Sequence, residues 1–142
     1  MRLTTLFLAL VTLNGCTTSP LPPLDPNMAW VDFATPMPGG RLLMAERLDG
    51  KRLQDGRFFQ VSPGSHELEV RFDFEVPGGG GGLGMMSEPK ERLCYLIIRY
   101  EHFEAGQRYR LEARNLAYSP SARLYNAKRE MVAEDRQANC LM

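Results

Sequence analysis

Residues 65–76 read SHELEVRFDFEV. His66, Leu68, Val70, Phe72, Phe74 and Val76 fall on one face of an extended chain, and Ser65, Glu67, Glu69, Arg71, Asp73 and Glu75 on the other. Strict period-2 alternation of this length predicts an antiparallel strand with one face on a core and one in water. The charged row would also blunt edge-to-edge pairing if the strand lay at a sheet edge.

Working outward, the chain reads as further short strands separated by turn chemistry. Residues 29–34 (AWVDFA) predict a first strand closed by TPMPGG, and residues 41–47 (RLLMAER) a second, ended by the Asp49-Gly50 turn signal. Residues 57–61 (RFFQV) predict a third, ended by SPG. Residues 92–100 (RLCYLIIRY) are apolar on both faces, as in a strand running through the middle of a sheet. After FEAGQ, residues 108–114 alternate again, with Tyr109, Leu111 and Ala113 inward and Arg108, Arg110, Glu112 and Arg114 outward. Residues 122–127 and 128–132 could close a last hairpin, and the tail MVAEDRQAN could instead form a short helix. The expected fold is all-β: an antiparallel β-sandwich of about seven short strands spanning residues 28–142.

Residues 17–27 hold Pro20, Pro22, Pro23 and Pro26 and predict an extended, polyproline-type tether. Such a segment reaches roughly 30 Å, enough to hold the domain clear of a lipid surface. Before it comes MRLTTLFLALVTLNGC, with one cation, Arg2, and an apolar run to Leu13. The run has the size of a signal-peptide core and is too short for a membrane span, which needs about 20 residues. With Leu13 three positions before Cys16 and Gly15 just ahead of it, the stretch resembles the lipobox of bacterial, proteobacterial-type lipoprotein precursors.

That resemblance implies cleavage between Gly15 and Cys16, a diacylglycerol on the Cys16 thiol and acylation of the new amine. Residues 1–15 are then the signal peptide, and residues 16–27 the lipidated cysteine and tether. One acyl chain anchors only marginally, whereas two or three hold a protein on a membrane. Thr17, in place of the aspartate that retains enterobacterial members on the inner membrane, implies the outer membrane, periplasmic face. An ordinary secretory leader with a free cysteine, or an uncleaved anchor helix, are the other readings of this stretch.

Leu48-Asp49-Gly50-Lys51, Pro63-Gly64-Ser65-His66-Glu67-Leu68-Glu69-Val70 and Phe103-Glu104-Ala105-Gly106-Gln107-Arg108-Tyr109 carry a second resemblance, to PEGA-like small β-sandwich modules of envelope proteins. It spans roughly residues 48–111 and rests on turn chemistry. It implies a fold of that kind and a module that is commonly non-catalytic.

Without the leader, 127 residues remain, with 16 basic and 17 acidic side chains. So balanced a charge gives no bulk attraction for nucleic acid, and no nucleic-acid partner is expected. Cys94 and Cys140 remain as an even pair in a compartment that oxidises thiols, which favours a disulfide between them. Two independent thiols, with Cys94 a small core residue, is the alternative.

The Gly-rich loop of residues 77–87 contains PGGGGGLGMM. Gly79-x-Gly81-x-x-Gly84 matches a dinucleotide fingerprint in letters, yet a strand rather than a helix is expected to follow, and no Gly-Lys-Ser/Thr is present. A hairpin loop is the plainer reading; a partner-binding loop displaying Leu83, Met85 and Met86 is another. Of the two histidines, His66 reads as an imidazole bonded to a nearby turn. His102, with Glu101 and Glu104, would need His66 beside it to hold a metal, and the spacing matches no zinc motif. No metal, cofactor or catalytic residue is expected.

Arg108, Arg110 and Arg114 form a basic stripe that either meets an anionic glycan or acidic partner or is neutralised within the chain, by the interleaved Glu112 and by the acidic face of residues 65–76 across neighbouring strands. Trp30, the single tryptophan, is expected to plug the core. The expected function is a non-enzymatic envelope lipoprotein, bound to the membrane by lipid, that serves as an interaction or scaffold module for another envelope protein. The alternative is capture of a glycan or small molecule in an aromatic pocket around Phe58, Phe59, Tyr95 and Tyr109. A hydrolase or metalloenzyme would need His66, His102 and carboxylates to converge.

Overall fold

A computed structural model describes residues 15, 16, 18–36, 41–78 and 88–141. Among them there are nine strands and no helix: β1 (Ala29–Ala34), β2 (Leu42–Leu48), β3 (Lys51–Arg52), β4 (Phe59–Val61), β5 (Gly64–Val76), β6 (Lys90–Phe103), β7 (Arg108–Leu116), β8 (Ser119–Tyr125) and β9 (Met131–Cys140). The protein is all-β. Its strands join in one curled, open sheet with the order β3-β2-β5-β6-β9-β8-β7-β1-β4, the shape of a half-barrel.

The opening stretch becomes β5, where Leu68, Val70, Phe72, Phe74 and Val76 are buried. It lies inside the sheet between β2 and β6, so its charged row protects no edge. Its row pairs locally: Arg99 with Glu67 at 2.6 Å, Arg47 with Glu69 at 3.6 Å and Arg71 with Asp73 at 2.7 Å. In β6, Cys94, Leu96 and Ile98 face the core, while Leu93, Tyr95 and Ile97 are half-buried on the outer face.

The curl is made by β9. Its C-terminal part pairs with β6 (Cys94↔Cys140 to Ile98↔Asp135) and its N-terminal part with β8 (Arg123↔Glu134 to Tyr125↔Met131). Register shifts leave Arg136 and Val132 as extra residues, and such bulges bend a strand and increase its twist. Where β9 has turned away toward β6, the Asp135 carboxylate accepts the Ala122 N–H at 2.7 Å in place of a backbone carbonyl. One apolar core then forms inside both halves: Phe72 and Leu96 on one side, Phe59, Leu111 and Leu124 on the other.

Several sequence expectations change. The tail is strand β9, not a helix. The sheet is not antiparallel throughout, because β1 pairs in parallel with β7 from Trp30↔Arg108 to Ala34↔Glu112. The chain leaves β1, builds β2 to β6, and returns beside β1 in the same direction. Trp30 is buried but is no core plug. Ala29 and Val31 take the inward positions of β1, so Trp30 points outward and stacks on Phe58 at 4.2 Å. The Cys94–Cys140 disulfide is present, joining directly opposed residues of β6 and β9.

The two ends of the sheet differ. At one pole lie the start of β1, the β2–β3, β4–β5, β6–β7 and β8–β9 turns, and the tether. At the other lie the end of β1, the start of β2, the β7–β8 turn, Cys140, and the chain ends Gly78 and Glu88 that flank residues 79–87. We call these the tether pole and the distal pole; the length of β5 separates them by about 40 Å.

Candidate functional site

Two places concentrate functional chemistry: the turns of the tether pole, and a groove on the outer face of β1, β7 and β8.

At the tether pole the LDGK and SPGSH turns meet. His66 Nδ1 lies 2.6 Å from Asp49 Oδ2, and Asp49 Oδ1 accepts the Glu67 N–H at 2.8 Å. His66 Nε2 faces both the Ser62 carbonyl, at 2.8 Å, and the Ser62 hydroxyl, at 3.0 Å. Desolvation pushes the Asp49 carboxyl up, but the Glu67 N–H, His66 and Lys51 together hold it below its ordinary value. Asp49 also sits at φ 49°, a left-handed conformation that aspartate tolerates.

Ser62, His66 and Asp49 thus contain the atoms of a serine–histidine–carboxylate relay. A relay needs Nε2 to accept the serine proton, whereas here a main-chain carbonyl, which only accepts, shares that nitrogen. The geometry ties two turns together. The sequence pointed to a turn partner for His66 but not to Ser62 or Asp49, although both lie in the turn pieces flanking it. His102 is exposed, with its ring against Tyr100, and among the described residues no group of three His, Cys, Asp or Glu is close enough to hold a metal ion.

The tether closes on the same pole. Met28 O accepts the Gly106 N–H at 2.9 Å, and Gln107 O accepts the Trp30 N–H at 3.0 Å. Gly106 has φ 74°, a left-handed conformation that residues with side chains rarely adopt, and it packs against the Pro26 carbonyl. Arg57 is held by both Asp55 oxygens and donates to the Ser19 carbonyl at 2.7 Å. Its hydrogen bonds hold the Asp55 carboxyl down to about 2. The tether therefore touches the domain at Arg57. Cys16, ahead of it, is exposed and unpaired.

The groove, of about 490 Å³, lies over Asp32 of β1, Arg108, Arg110 and Glu112 of β7 and Tyr125 of β8, and turn 126–130 walls one side. Arg108 pairs with Asp32 at 2.8 Å, and Glu112 takes Arg110 at 3.0 Å and Arg114 at 3.7 Å. The basic stripe is thus neutralised by β1 and by its own strand, at i±2 positions, and not by residues 65–76, which lie in the other half of the sheet. Trp30 Nε1 donates to Asp32 Oδ1 at 2.7 Å, so Asp32 links the Trp30–Phe58 stack to the groove.

The aromatic pocket expected from Phe58, Phe59, Tyr95 and Tyr109 does not assemble. Phe59 and Tyr109 are in the core, Phe58 covers Trp30 outside it, and Tyr95 is on the outer face of β6. Tyr109 is fixed by accepting the Glu104 N–H at 3.1 Å, and burial pushes its hydroxyl pKa up. Leu83, Met85 and Met86 lie outside the described residues, as do the leader up to Asn14 and Thr17.

The chain matches no family model, no curated protein and no solved structure. The functional reading accordingly rests on its own residues.

Proposed function

We propose that this chain is an envelope lipoprotein, cleaved between Gly15 and Cys16 and held by lipid on Cys16 at the periplasmic face of the outer membrane, whose β domain is a non-catalytic interaction module. In this reading the curled sheet acts as a sandwich, two halves closing over one core through β9, as PEGA-like modules do. The observation that supports it is the polarity of the domain. The tether enters at one pole, where Leu21, Leu24 and Met131 are about half exposed, and four further exposed large apolar side chains, the most exposed of all among them, lie at the other.

Leu116 is 85% exposed, Leu141 59%, and Tyr118 and Leu42 49% each, and all four lie at the distal pole. Large apolar residues clustered at one end of a domain are a mark of an interaction site. Tyr118 also donates to the Pro77 carbonyl at 3.0 Å, fixing the β7–β8 turn beside the start of residues 79–87. Near the same pole, opposite Phe74, the Arg92 Nε is buried without a hydrogen-bond partner among the described residues. A bound partner carrying an acceptor would satisfy it. Leu83, Met85 and Met86, read from the sequence as a partner-binding loop, belong to residues outside the described ones, and the deletion below tests them.

The test is an affinity pull-down of the native lipoprotein from solubilised membranes, beside a Cys16→Ser form and one lacking residues 78–86, with mass-spectrometric identification. We expect a discrete protein partner, lost with residues 78–86. Recovery of no partner in any form would overturn the reading.

A further inference from the structure

Turn 126–130 at the wall of the outer-face groove is held rigidly. The Asn126 Oδ1 accepts the N–H groups of Lys128 at 3.0 Å and Glu130 at 2.9 Å, and its amide donates to Glu130 Oε2 at 2.8 Å. Within it Arg129 adopts φ 64°, the left-handed region that glycine or asparagine occupies more readily. A long cationic side chain is therefore kept in a costly backbone conformation at the groove. Observed strain of this kind is a pointer to function.

The charges of the groove point to its ligand. Arg108 and Arg110 are each matched by a carboxylate, whereas Arg129 lines the groove without an ion-pair or side-chain hydrogen-bond partner among the described residues. Three guanidinium groups against Asp32 and Glu112 leave one positive charge in excess. A ligand with several negative charges would be repelled by those two carboxylates. A ligand with one negative charge and many hydroxyls would meet a cation for the first and acceptors for the rest. The ring of Tyr125 adds an apolar platform with a polar edge. The volume is in the range of small-molecule sites, about 300–1,000 Å³.

We propose that this groove binds a saccharide carrying a single carboxylate. The carboxylate pairs with Arg129, hydroxyls bridge to the Asp32–Arg108 and Glu112–Arg110 pairs, and one sugar face lies on Tyr125. The site is separate from the distal pole, so this inference stands or falls independently of the protein-partner reading.

The test is calorimetric titration of the full chain, as its Cys16→Ser form, with a glucuronate-containing disaccharide, its neutral glucose counterpart and inorganic phosphate. We expect saturable binding of the acidic sugar at least tenfold tighter than of the neutral one, and none of phosphate. Arg129→Gly, which suits the left-handed backbone and so preserves folding, should bring the acidic sugar down to the affinity of the neutral one. Tyr125→Ala should weaken both sugars. Absence of saturable sugar binding, phosphate binding as tight as the acidic sugar, or an unchanged acid preference in Arg129→Gly would overturn the proposal. Retention of the distal-pole partner by Arg129→Gly is expected and keeps the two readings distinguishable.

Discussion

The two poles of this sheet use side chains in opposite ways. At the tether pole almost every turn is closed by its own polar groups: Asp49 and Ser62 hold His66, Tyr109 holds Glu104, Asn126 holds its turn, and Gly106 meets Met28. At the distal pole the order comes from the Cys94–Cys140 bridge and a few contacts such as Arg41 with Asn115, while Leu116 and its neighbours stay open to solvent. A pole whose turns satisfy their own donors and acceptors has little to offer a protein partner beyond the Arg129 groove. One that leaves apolar area uncovered has a driving force for association.

The contrast can be broken most strongly at the disulfide. Replacing Cys94 and Cys140 together by serine frees a loop spanning 46 residues and should cost about 4 kcal/mol, read as a lower urea midpoint. A cost below about 1 kcal/mol would mean that β9 is held at the distal pole by pairing alone. At the tether pole, Asp49→Ala strands the His66 ring N–H and the Glu67 N–H and should cost about 1–3 kcal/mol.

The tether pole should also respond to acid. Carboxylates with lowered pKa contribute stability that is complete above their unfolded value and lost as pH falls toward the folded one. The Asp49 contribution should therefore fade below about pH 3.8, and that of Asp55 between about 3.8 and about 2. Wild type and Asp49→Ala, compared by thermal melts down this range, should converge as pH drops; parallel curves would show that the His66 clip contributes nothing through Asp49.

Smaller effects sharpen the same picture. Leu116→Asp should leave stability within about 0.5 kcal/mol, since the side chain is exposed, yet abolish partner recovery. Arg57→Ala should leave the melting temperature unchanged while speeding proteolysis between Ser19 and Leu24, because the guanidinium that holds the Ser19 carbonyl is gone. Unchanged cleavage would show that this contact does not restrain the tether.

Much of this was legible in the sequence where alternation is uninterrupted. Residues 65–76 carry an unbroken period-2 pattern and became, with Gly64 added, β5, and residues 29–34, closed by turn chemistry, became β1. The tail was not legible because the extra residues Val132 and Arg136 each shift the inward–outward parity, so β9 shows no clean alternation. The parallel β1–β7 pairing joins segments far apart in the chain, which no local pattern encodes. Trp30 could have been placed, since Ala29 and Val31 share the parity of the core face.

The site residues follow the same division. The turn pieces around Asp49 and His66 were readable as turns, but their contact depends on how β2 and β5 pair. The stripe of Arg108, Arg110 and Arg114 was readable as one face of a strand. Glu112 was readable as a counter-charge interleaved on the same strand, but Asp32 was not, because it reaches the stripe through the parallel pairing. Arg129 carried no signal, since its backbone conformation is set by Asn126 and Glu130 across the turn.

The most direct test of the contrast between poles is site-specific photo-crosslinking in intact membranes, with the probe placed at Leu116 of the distal pole or at Met131 of the tether pole. Both positions are exposed in the same fold, so reactivity alone does not separate them. A discrete protein adduct from Leu116 and none from Met131 is the result expected here. Adducts from Met131 alone, or from neither position, would contradict the account.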